Sequence, residues 1–127
     1  MGVIYAQSAA AGGSGKLLKI DVAATQNVAA FKVITSTGEN ASSANVFHKG
    51  IIAGVTLAAI NTGFVGKVVT EGLVVNPAWA WNPGDVLYLN GTSISTTPPT
   101  SGFRVIVGIG TYIPTTMYVK ISESILL

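Results

Sequence analysis

Between Gly63 and Pro114 glycine or proline recurs every few residues, and that leaves no room for a long helix there. The segment "PGDVLYLNGTSISTTPPTSGFRVIVGIGT", Pro83 to Thr111, is the clearest case. Pro83-Gly84 suits a turn, because proline fixes one backbone angle and glycine tolerates the next. "DVLYL" and "SISTT" flank Asn90-Gly91, the strongest two-residue hairpin signal a sequence offers. Pro98-Pro99 stiffens the following connection. In "FRVIVGIG", strict alternation places Phe103, Val105, Val107 and Ile109 on one face. Arg104, Ile106, Gly108 and Gly110 then share the other. Gly108 leaves room for another backbone or a large ring.

The same grammar extends upstream. "KLLKIDVAA" reads as a first strand, "AAFKVITS" (29–36) as a second and "KGIIAGVT" (49–56) as a third. "STGENASSAN" (36–45) is a polar loop. "TGFVGKVVTEGLVV" (62–75) reads as two strands bending at Glu71-Gly72. "NPAWAWNPGD" (76–85) is a turn-rich connection, since residues before proline favour extended backbone. "MYVKISESI" closes the set. The one helical candidate, "TLAAIN" (56–61), is too short to stand alone. Short strands with regular turns predict an all-β chain, either a compact β-barrel or a β-tulip or sandwich. Residues 16–127 are expected to form that single domain. Residues 1–15, small and Gly/Ser-rich, are expected to be a flexible N-terminal arm. Two related halves, about 27–75 and 82–125, are expected within the domain. Phe31-Lys32-Val33-Ile34 falls on Val86-Leu87-Tyr88-Leu89, and Gly54 falls on Gly108.

Composition bears on what the surface meets. Charged residues make up 9% of the chain and apolar residues 49%, against about 25% charged in an ordinary soluble domain. Gly, Ala, Ser, Thr and Asn take the place of charge, as expected of a surface that meets other protein. The net charge of +2 comes from scattered basic residues, which argues against nucleic acid as a partner. The longest apolar stretch, Ile51–Ile60, falls well short of the roughly 20 residues a membrane span needs. The first 15 residues lack the basic start and apolar core of a signal peptide. Cysteine is absent, so no disulfide framework or thiolate metal site is expected.

The motifs that could carry chemistry are thin. "GGSGK" (12–16) misses the phosphate-loop pattern, because Ala10 stands where the first glycine belongs and Leu17 follows Lys16. His48, the single histidine, is a poor start for a catalytic triad or a zinc site. The acids Asp21, Glu39, Glu71, Asp85 and Glu123 carry no paired-carboxylate signature. Glu39 and Glu71 sit beside glycines as turn acids do, and Asp85 suits a bond to backbone N–H groups of its turn. No catalytic residue, metal or cofactor is expected, and the chain does not read as an enzyme. Trp79 and Trp81 alternate with alanine and can point the same way. They are the candidate protein-interface residues, with core packing and a sugar-stacking platform as the open alternatives.

The second half, "GLVVNPAWAWNPGDVLYLNGTSISTTPPTSGFRVIVGIGTYIPTTMYVKI", resembles a pattern found in tailed-bacteriophage virion proteins. That pattern runs from a glycine-bearing strand to Pro-Gly-Asp, a Leu-Tyr strand, a threonine-rich strand, Pro-Pro and a Val-Gly-Ile strand. Upstream, "HKGIIAGVTLAAINTGFVGKVVTEGLV" is similar to the body of small phage capsid decoration (cement) proteins. The resemblance covers most of residues 48–121 and carries no catalytic residues. It implies a virion protein on the outer capsid surface, made in the bacterial cytoplasm. Its partners would be the major capsid protein and further copies of itself, as trimers or dimers. A tail, baseplate or fibre component and a carbohydrate-binding module are the alternatives.

Overall fold

The computed structural model describes residues 17–127; the arm expected over residues 1–15 lies outside them. The fold is all-β, an almost closed barrel. Among the described residues ten strands follow in order: β1 (Leu18–Ala23), β2 (Val33–Thr35), β3 (Ile52–Thr56), β4 (Val65–Val75), β5 (Val86–Asn90), β6 (Ser93–Ser95), β7 (Phe103–Arg104), β8 (Ile106–Gly110), β9 (Thr116–Lys120) and β10 (Ile125–Leu126). The main sheet runs β2-β3-β4-β9-β8-β5-β6, antiparallel throughout. The segments expected as related halves thus supply β2-β3-β4 and β5-β8-β9, which meet where β4 pairs with β9.

The open side of the sheet is bridged at Ser43. The Ala41 N–H donates to the Val33 carbonyl at 3.0 Å, the Ser43 N–H to the Gly91 carbonyl at 2.9 Å, and the Phe103 N–H to the Ser43 carbonyl at 3.0 Å. The Ser43 hydroxyl also accepts the Gly91 N–H at 2.8 Å. Gly102, at φ +78°, lies so close to the Ser43 carbonyl that a β-carbon would collide with it, so glycine is required at this seam. Inside the barrel Val33, Val55, Val69, Leu87, Leu89, Phe103, Val105, Val107, Met117 and Val119 are buried in one cluster. A second cluster covers the outer face of β2 to β4: Val22, Ala24, Val28, Ile34, Ala53, Ile60 and Val68.

Several local expectations are corrected. Residues 65–75 form one strand without a bend at Glu71-Gly72. Against β1, Lys19 pairs with Val69 while Leu18 pairs with Glu71, so Thr70 is an extra residue. This bulge switches faces: Val69 and Val74 both reach the barrel cluster although five positions apart. "FRVIVGIG" breaks at Val105 into β7 and β8. A second bulge leaves Val107 unpaired on β5, because Leu87 faces Gly108 and Tyr88 faces Ile106. Val105 and Val107 stay buried, but Ile109 is displaced from their face and is only half-buried. Gly108 instead meets the backbone carbonyl of Tyr118 in β9. "TLAAIN" is not helical. A single 3-10 turn at Val46–His48 lies in the loop after β2 instead, with the Asn45 side chain capping it through the Phe47 N–H. In the β5–β6 hairpin Asn90 pairs with Ser93, so the two-residue turn is Gly91-Thr92, one position later than expected.

Candidate functional site: an apolar surface around a dry core

Several of the charged groups expected to do little are engaged locally. The Asn82 N–H donates to Asp85 Oδ2 at 2.8 Å, closing the Pro83-Gly84 turn. Glu71 sits mid-strand rather than in a turn, and its Oε2 accepts from the Tyr118 hydroxyl at 2.9 Å. Asp21 pairs with Lys67 at 2.6 Å on the surface. His48 is buried, and its Nδ1 accepts the Ser42 N–H at 3.0 Å. That bond places the proton of a neutral ring on Nε2, which lies 3.6 Å from Glu39 Oε1. The hydroxyl of Ser42 accepts from Ala44 N–H and does not face the ring as a nucleophile would. His48 therefore acts as a clasp for the loop that bridges the barrel at Ser43. Among the described residues no group of three His, Asp or Glu side chains is placed to hold a metal ion, and no helix is long and apolar enough to cross a membrane.

Trp79 and Trp81 are brought together, with ring centroids 5.7 Å apart and planes tilted by 41°. Phe31, which the sequence did not link to them, meets Trp79 edge-on at 5.6 Å and 69°. All three rings are half-buried against the barrel cluster. The Trp81 N–H of the backbone donates to the Pro114 carbonyl at 2.9 Å, fixing the connection to the β8–β9 loop. The indole N–H of Trp81 is buried without a hydrogen-bond partner. The rings are neither coplanar nor freely exposed, so they make a poor platform for a sugar ring. They join the core to the surface.

The surface beyond them is unusually apolar. Tyr112 and Ile113 are exposed in the β8–β9 loop. A second patch combines Val46 and Phe47, the latter 85% exposed, with Ile125, Leu126 and Leu127. These segments are neighbours because Leu126 pairs with Phe103, whose N–H bonds Ser43, and the Gly50 N–H reaches the Ser124 hydroxyl. Further exposed apolar side chains are Leu17, Leu18 and Ile20 at the start of β1 and, at the opposite end of the β1–β4 pair, Phe64 and Val65, which are 67% and 63% exposed. Sequence reasoning missed Phe47 and Phe64. Low charge raised the expectation of a contact surface, but only folding tells which large side chains remain outside.

No family model, curated protein or solved structure matches the chain.

Proposed function

We propose that the chain is a structural protein of a tailed-phage particle: a decoration, or cement, protein. It would sit on the outer capsid surface and bridge neighbouring copies of the major capsid protein. What carries the reading is the contrast between a tightly packed barrel and its exposed side chains Phe47, Phe64, Val65, Ile125 and Leu126. Contiguous apolar surface marks protein contact sites in folded chains, and 9% charged residues leave little else to solvate it. The sequence resemblance supplies the setting. The mechanism is added contact area repeated by symmetry. A standard interface buries about 1,600 Å², so modest contacts at many equivalent positions would reinforce a shell against internal pressure. No substrate, cofactor or nucleic acid has a part in it.

Deletion of the gene tests the reading. Particles should assemble but release DNA at lower temperature or on osmotic shock, and complete particles should carry hundreds of copies. Normal heat resistance with lost adsorption would move the protein to the tail and overturn the capsid assignment.

A further inference from the structure

β1 has one strand neighbour, β4, and no backbone hydrogen bond reaches its other edge from any described residue. Such an edge presents a row of N–H and C=O groups ready to pair with another strand. Folded proteins usually blunt an edge with a charge, which is costly to place opposite an unmatched partner. β1 carries two charges of opposite sign, at Lys19 and Asp21, flanking Ile20. Leu18 and Ile20 are 40% and 41% exposed, although both are large and apolar.

The order Leu18-Lys19-Ile20-Asp21-Val22 is complementary to itself. If a second copy lies antiparallel with Ile20 opposite Ile20, each Lys19 falls opposite the other copy's Asp21. Leu18 then falls opposite Val22. The alternation of faces puts both charge pairs on one side of the sheet and the apolar pairs on the other. Asp21 already pairs with Lys67 on β4 at 2.6 Å. The joined sheet would therefore carry a row of alternating sign: Lys67, Asp21, then Lys19 of the second copy. A two-fold pairing centred one residue away, on Lys19 or on Asp21, sets like charges opposite each other. The charges thus select one register as well as permitting it.

We propose that β1 is a homodimerisation edge, on which two copies join their sheets antiparallel about a two-fold axis at Ile20. The contact is isologous, each copy using the same strand. It yields dimers and cannot close a three-fold ring by itself. It rests on the strand's position and charges, independently of where in a particle the protein works.

Two charge reversals test it in the full chain. Lys19→Asp makes the edge wholly acidic, and Asp21→Lys makes it wholly basic. Both side chains are exposed, so circular dichroism should match the wild type. Sedimentation equilibrium should show wild-type dimers, and self-association about tenfold weaker in each variant, because two cross-strand pairs turn repulsive. An equimolar mixture of the two variants should recover the dimer, since the acidic edge of one then meets the basic edge of the other at both charged positions. A fold defect could not be repaired by mixing. A monomeric wild type would overturn the proposal, whether the edge stays bare or residues 1–16 cover it. Variants that associate as tightly as the wild type, or a mixture no tighter than its components, would place any self-contact elsewhere and equally overturn it.

Discussion

β9 and β1 both pair with β4, yet they are built on opposite principles. β3 takes one edge of β4 at Val68 and Val69. β1 takes the opposite edge along residues 65–71, and β9 pairs along 71–75, so that Glu71 faces Leu18 on one side and Lys120 on the other. In β9 four successive residues, Thr116 to Val119, are buried. Its inner side chains, Met117 and Val119, fill the barrel, and Tyr118 on the outer side is held by Glu71. In β1 only Val22 is buried. A strand covered on both faces and paired on both edges belongs to the interior, whatever its polarity. A strand paired on one edge and covered at one residue can be left for another molecule. The difference lies in position along β4 rather than in composition, since "LKIDVA" and "TMYVK" are comparably apolar.

The comparison can be broken by substitution. Met117→Ala should cost the most, about 2–5 kcal/mol, because the side chain is fully buried in the barrel and a cavity would remain. The matching change on β1, Ile20→Ala, should move the unfolding midpoint of the monomer far less. Chemical denaturation of both variants checks the pair; similar losses would mean that β1 is as much core as β9. Trp79→Ala with Trp81→Ala should cost about 3 kcal/mol, less than the loss of two fully buried indoles, since both rings are half-buried against the core. An unchanged midpoint would mean that the rings serve contacts outside the chain. Gly108→Ala should cost roughly 1–3 kcal/mol, since the new methyl meets the Tyr118 carbonyl and Met117 Cε across the β8–β9 pair. At the small end, Lys67→Met should change stability by less than about 0.5 kcal/mol, because the Asp21–Lys67 pair is 60% and 63% exposed. A larger loss would make β1 an integral part of the fold.

The turns and the all-β class were legible because Gly, Pro and Asn mark them chemically: Pro83-Gly84, Gly91 and Pro98-Pro99 punctuate the chain where the strands end. The faces were less so. A bulge adds one residue without a signature of its own, so Thr70 and Val107 could not be foreseen, and Ile109 was assigned to the wrong side. The short apolar run 56–61 suited a helix by composition, but tertiary packing overrode it, since Ile60 pairs with Val28 and lies beneath Gly66. At the surface, the alternation Trp79-Ala80-Trp81 correctly brought two indoles together. Phe31, far earlier in the chain, joins them only through the fold. The charge order of β1 was visible, but its meaning depends on which strand keeps an open edge. Pairing decides that, and strand patterns do not encode it.

Hydrogen–deuterium exchange of the full chain, measured residue by residue at two protein concentrations, tests the contrast between β1 and β9 most directly. Amides of Met117 to Val119 should exchange slowly and at the same rate at both concentrations, opening only with the barrel. Amides of Lys19 to Val22 should exchange faster in dilute protein and gain protection as the concentration rises. Protection on β1 equal to that on β9 at both concentrations, or β1 rates indifferent to concentration, would contradict the division into a closed core and an edge kept for a second molecule.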